Sequence, residues 1–197
     1  MKGTVLPFLA IFKIVRYFLT GRLPAVHSIL LVESGSREIL EKVIPGLRQT
    51  WGPEARIDLV SCFAALPAGL DPATTRVFRV GDYRGSGARR KLYRELSANR
   101  YALLGTICSE EPVMFKWKCA LLWQVPAKVF VINENGDYFW LDRKHLKLIR
   151  EFVLLRSGLG GAGAVRTLAR LVCFPFTFLF LLLYATAVHA RRALRRG

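Results

Sequence analysis

The chain has 197 residues, room for one ordinary domain of about 100–150 residues plus accessory segments. Its net charge of +16 raises nucleic acid as a partner, but the placement of that charge argues against it. Residues 1–24 carry +4 and residues 156–197 carry +7 with no acid in either stretch, so the middle, 25–155, keeps only +5. Most of the charge therefore lies beside apolar runs, where Lys and Arg snorkel to anionic lipid headgroups. An apolar content of 52% with mean hydropathy +0.28 points the same way, towards contact with membrane lipid.

At the N-terminus, TVLPFLAIFKIVRYFLTGR is apolar but interrupted by Lys13 and Arg16 on one helical face. A charge at the bilayer centre costs about 2.5–3.5 kcal/mol on insertion scales. Residues 1–24 are therefore expected to form an amphipathic helix lying in the membrane interface rather than spanning it. A signal peptide fits less well, because the apolar core is broken and no small-x-small cleavage site precedes Arg22.

The middle, 25–155, alternates apolar, β-branched runs with helical patterns. Strands are expected over 28–33, 55–62, 76–80, 101–108 and 128–133, with a short edge strand over 137–141 after the Asn135-Gly136 turn. Helices are expected over about 36–50, 87–99, 115–123 and 144–156. The spacing of Ile39, Leu40, Val43, Ile44 and Leu47 carries the first of them. The pattern predicts an α/β domain with a single Rossmann-like parallel sheet covered on both faces.

Ligands of such sheets sit outside the carboxyl ends of the strands. Those ends hold Ser34-Gly35-Ser36, Gly81-Asp82-Tyr83, Ser109-Glu110-Glu111 and Asn133-Glu134-Asn135. They form either a crevice for a sugar or phosphate-bearing ligand, or simply the polar loops that any strand end exposes. Arg84, Arg89, Arg90 and Lys91 surround the Gly85-Ser86-Gly87 turn. That cluster suits a phosphate or a lipid headgroup; a solvated basic helix face is the other reading. Lys116-Trp117-Lys118, Trp123 and Trp140 are interfacial anchors or core residues on equal terms.

Cys62, Cys108, Cys119 and Cys173 show neither CxxC spacing nor histidine partners at zinc-like intervals. They are expected as buried small apolar residues, or as a membrane-facing residue at Cys173. No metal site, cofactor, P-loop, GxSxG or HExxH pattern is present in the sequence.

A glycine-rich stretch, SGLGGAGA, then leads to LVCFPFTFLFLLLYATAV, residues 171–188, with no charge among its 18 residues. Spanning a bilayer takes about 20 apolar residues. A membrane helix over about 168–189 is expected, with a buried helix of a soluble domain as the alternative. Arginines flank the segment on both sides, so it either crosses or dips in and returns. The middle domain is expected to face the cytoplasm at the inner membrane.

The stretch ILLVESGSREILEKVIPGLRQTWGPEARIDLVS, residues 29–61, resembles the opening βαβ unit of heptosyltransferase-like GT-B glycosyltransferases. The Gly35-Ser36 turn, Pro45-x-Leu47-Arg48 and ARIDLV carry the likeness. SEEPVMFKWKCALLWQVPAKVFVINENGD resembles the acidic loop, helix and strand end of the same group, bringing the similarity to about 110 of 197 residues. The resemblance implies the acceptor-side half of a two-domain enzyme, a lipid-linked glycan acceptor, and a separate donor-binding subunit. Glu110 and Glu111 are then the candidates for acceptor contact or catalytic base, with Ser34, Gly35 and Ser36 lining the crevice. The family's aspartate, six residues before the helix proline, is replaced here by Ile39, beside Glu38. A non-catalytic membrane scaffold that keeps the fold is the alternative function.

Overall fold

The computed structural model describes residues 15–108, 113–156 and 172–186. They divide into two compact units, residues 1–146 and 147–197, which are taken in turn.

The first unit is built on one mixed sheet of six strands in the order β3-β2-β1-β4-β5-β6. The strands are β1 (Ser28–Glu33), β2 (Arg56–Ser61), β3 (Val77–Arg79), β4 (Leu103–Ile107), β5 (Lys128–Ile132) and β6 (Tyr138–Trp140). β1 to β5 are parallel. β6 runs antiparallel to β5, because the Asn133–Gly136 turn is too short for a crossover, so the sheet is not purely parallel as expected. The helices are α1 (Arg37–Trp51), α2 (Ser86–Ala98) and α3 (Phe115–Gln124). All lie within two residues of the segments the periodicity predicts.

The central strands are buried on both faces, which explains their unbroken Ile, Leu and Val runs. On one face Ile29, Leu31, Ile57, Leu59 and Phe130 pack with Ile39, Leu40, Val43, Ile44 and Leu47 of α1. Leu66 and Leu70 join them, so the irregular β2–β3 connection covers this face where no helix forms. On the other face Leu30, Val32, Val60, Phe78 and Leu104 pack with Leu92 and Leu96 of α2 and Leu121 of α3.

Gly105 in β4 is set by close packing. A Cβ there would collide with the Phe130 ring and come within 2.7 Å of Leu31 Cδ2. Phe130 in turn packs edge-on against Tyr138 and Trp140 of β6, at ring separations of 5.5 and 5.7 Å. Trp140 thus belongs to the core. Trp117 packs against Tyr93, whereas Trp123 is exposed. Cys62 and Cys119 are exposed rather than buried as expected: Cys62 follows the last residue of β2, and Cys119 lies on the outer side of α3, whose buried residue is Leu121.

α4 (Leu146–Arg156) begins on the last residue of the first unit, lies otherwise in the second, and buries no residue. Residues 172–186 are helical and exposed on every side, with Phe174 stacked on Phe178 and Phe180 on Tyr184. No helix among the described residues is long and apolar enough to cross a membrane, so the expected membrane helix over 168–189 is not supported; its two ends lie outside the described residues. Residues 1–14 of the expected interfacial helix also lie outside them, while 15–20 are helical.

Candidate functional site

The strand order reverses between β1 and β4: the chain moves outward from β1 to β2 and β3, then returns to β4 on the other side. At the carboxyl end of such a junction the flanking loops diverge to opposite faces and leave a crevice. The residues there are Glu33 to Arg37, after β1, and Thr106 to Cys108, at the end of β4.

Glu33 is the last residue of β1 and fully buried. A buried carboxylate needs partners, and both its oxygens have one. Arg37 Nε, one helical turn on, donates to Oε1 at 2.9 Å, and the Ser61 hydroxyl donates a very short hydrogen bond to Oε2. Ser61 is opposite Glu33 in the β1–β2 register, which places both side chains on the α1 face. Arg37 also donates to Ala65 O at 2.8 Å and lies over the Phe63 ring, and Phe63 N donates to Ser61 Oγ at 2.8 Å. The loop after β2 is thereby tied to the start of α1. Cys62 stands in that loop; partial burial first, then the nearby Glu33 charge, push its thiol up, so it stays protonated at neutral pH.

Of the expected crevice residues, Ser34 is fully buried and its hydroxyl donates to Ile107 O at 3.3 Å. It therefore joins β1 to the end of β4. Gly35 takes φ +109°, a conformation closed to most side chains, and turns the chain into α1. Ser36 occupies the cap position of α1 with an exposed side chain that makes no capping bond, leaving its hydroxyl open to a ligand. The N-terminus of this 15-residue helix carries roughly half a positive charge. Across the junction, Lys118 of α3 donates to Ile107 O at 2.9 Å, and Thr106 Oγ1 is buried without a hydrogen-bond partner among the described residues.

Glu110 and Glu111 lie outside the described residues. Ile39 belongs to the core and Glu38 is exposed on the first turn of α1. Asn133 sits at the end of β5, where its side-chain oxygen accepts from Asn135 N at 3.0 Å and Asp137 N at 2.9 Å. The asparagine thus shapes the β5–β6 turn, with Glu134 and Asn135 exposed on it. Arg84, Arg89, Arg90 and Lys91 are all exposed around the start of α2, where Gly85 takes φ +87°. Arg89 lies over the Trp117 ring at 5.4 Å, bringing this cluster beside the first turn of α3.

Comparison with family models, with curated proteins and with solved structures finds no match to this chain.

Glu33, Arg37, Ser61 and Thr106 were not singled out in the sequence. One signal was there: an acid closing an apolar strand, with an arginine one turn into the next helix. The opposite edge holds a second unanticipated cluster. Lys128, the first residue of β5, is 1% exposed; its Nζ donates to Asp142 Oδ2 at 2.5 Å and to Tyr17 O at 3.2 Å. Asp142 Oδ1 also accepts from Lys144 N and His145 N, and lies 2.7 Å from His145 Nδ1. Burial raises the Asp142 carboxyl, but the Lys128 and His145 hydrogen bonds outweigh it and the net shift is downward. Among the described residues no group of three His, Cys, Asp or Glu could hold a metal ion.

Proposed function

We propose that the chain is a membrane-associated, acceptor-side glycosyltransferase-like domain in cell-envelope glycan or glycolipid assembly, working with a separate donor-binding subunit. In this reading the sheet is one Rossmann-like half of a GT-B arrangement, and its domain stands on the cytoplasmic side of the inner membrane. The observation that carries the reading is the position of Ser34, Gly35 and Ser36 at the reversal of strand order, on the N-terminus of α1. A sugar hydroxyl would meet Ser36 there, and a phosphate carried on the acceptor's glycan, away from the lipid, would meet Arg84, Arg89, Arg90 and Lys91. Glu110 and Glu111, which follow β4 in the sequence, are assigned to acceptor contact or base. The membrane association draws on residues 172–186, a helix apolar all round with no polar face, the pattern of a segment surrounded by lipid or core.

A non-catalytic scaffold is the second reading. It is favoured by one observation: Glu33, at the junction end of β1, has both oxygens paired within the protein.

Co-purification of the full chain from membranes, followed by a sugar-transfer assay with lipid-linked glycan acceptor, separates the two. The transferase reading expects a donor-binding partner, activity in the mixture, and its loss in Ser36→Tyr and in Glu110→Gln with Glu111→Gln. Undiminished activity in those variants would remove the proposed site, and a partner without transfer activity would favour the scaffold.

A further inference from the structure

β1, β2, β4 and β5 all begin at one edge of the sheet, and the antiparallel β6 ends there. Three observations meet at this amino edge. First, the chain before β1 is fastened to it: Lys128 Nζ donates to Tyr17 O at 3.2 Å, and Gly21 lies against the Lys144 side chain. Second, the fastened stretch exposes Val15, Leu19 and Leu23, at 47%, 55% and 49%, beside exposed Arg16 and Arg22. Third, the chain leaves the first unit at the same edge, through exposed Arg143, Lys144 and Leu146. Neither 15–26 nor 143–146 contains an acid. Large apolar side chains interleaved with unopposed cations match the headgroup region of an anionic bilayer, in which apolar groups enter the acyl boundary and cations meet phosphate.

We infer that the amino edge of the sheet lies against an anionic lipid bilayer, so that the carboxyl-edge junction faces away from it into water. This rests on the membrane association proposed above and adds its orientation. The buried Lys128–Asp142 pair makes residues 15–21 part of the domain rather than a free tether, which is what turns attachment into orientation. At about 3.3 Å per residue, the five residues of β4 alone separate the two edges by about 17 Å. Ser36 and the Arg84–Lys91 cluster therefore stand beyond the reach of a headgroup in the plane of the bilayer. The acceptor this geometry selects carries a glycan long enough to bring its distal sugar to the far edge.

Hydrogen–deuterium exchange on the wild-type full chain, with and without vesicles of phosphatidylcholine and phosphatidylglycerol, reads the orientation directly. Exchange in peptides covering 15–24 and 141–146 is expected to slow when vesicles are added, while 35–41, 62–66 and 84–90 keep their rates. Arg16→Glu with Arg22→Glu is expected to remove the protection of 15–24 without releasing the protein from the vesicles. Protection at the carboxyl edge, or at neither edge of a protein that sediments with vesicles, would overturn the orientation and leave membrane association standing. Retained protection in the double variant would overturn the electrostatic basis of the docking. Failure to sediment at all would overturn both.

Discussion

Two buried carboxylates, Asp142 at the amino edge and Glu33 at the carboxyl edge, differ in where their cations stand; a third, Asp58, meets the part-exposed Arg56 at 3.3 Å near the start of β2. At the amino edge both partners are inside, with Lys128 and Asp142 side chains 1% and 3% exposed. At the carboxyl edge Glu33 is fully buried, but its partner Arg37 is 29% exposed and reaches into the loop after β2. A pair sealed on both sides is a fastening. A pair with one member in water can exchange some of its contacts for those of a ligand, at small cost to the fold. By this difference the Lys128–Asp142 pair fastens the fold, while the Glu33–Arg37 pair has a member that solvent reaches.

Breaking the sealed pair should have the largest effect. Asp142→Ala leaves the Lys128 ammonium buried with the Tyr17 carbonyl and the Trp140 ring, and removing one member of a buried pair costs about 3–5 kcal/mol. Urea unfolding of the isolated domain, with its midpoint compared to wild type, measures it. Lys128→Met should cost less, because Asp142 keeps two backbone N–H groups and His145. Equal losses in the two variants would argue against the sealed-pair description. Glu33→Gln keeps the shape of the half-open pair and removes the charge that Arg37 answers. A loss within about 1.5–3 kcal/mol is expected, smaller than for Asp142→Ala.

Position and partnership were unequally legible in the sequence. The strands were readable because a sheet buried on both faces demands runs such as SILLV and KVFVI, and the helices because one face of each must be apolar. The order of the strands was not readable, because parallel pairing and covered faces fit more than one order. Partnership was not readable, because it depends on residues far apart in the chain. Lys128 looked like the polar start of a strand, yet it reaches Tyr17, 111 residues away. Glu33 and Ser61 meet only because β1 and β2 pair in one particular register. His145 showed no pattern because its partner is a capping aspartate, not a metal. In the NENGD segment, whose polar residues suggested a ligand, the turn geometry was equally unreadable: Asn133 accepts from Asn135 N and Asp137 N through its side-chain oxygen.

Between the edges, Gly105→Ala provides a control that touches neither pair. The added methyl would meet Phe130 and Leu31, and overpacking of this kind costs about 1–3 kcal/mol. Thermal unfolding should report the loss, while exchange at residues 15–24 and 35–41 keeps its pattern below the transition. A selective loosening of one edge would show that the edges are coupled through β4.

The smallest effect, and the most specific to the amino edge, is on the acid limb of stability. Hydrogen bonds from Lys128 and His145 hold the Asp142 carboxyl below its unfolded value of 3.8, against the opposing pull of burial. A group with a lowered folded pKa contributes stability that is complete above its unfolded value. The contribution falls away as pH drops through the folded value, because protonation then costs more in the folded chain. Wild-type urea midpoints should therefore decline below pH 3.8, and part of that decline should be missing in Asp142→Asn. On the alkaline side, burial and the Asp58 hydrogen bond raise the Tyr101 hydroxyl, so its contribution holds up to its ordinary value of about 10 and is lost above it. Tyr101→Phe should lower stability at neutral pH by about 1 kcal/mol and flatten the alkaline limb alone. An acid limb unchanged by Asp142→Asn would mean that the fastening draws little on ionisation, and the contrast between the two edges would rest on burial only.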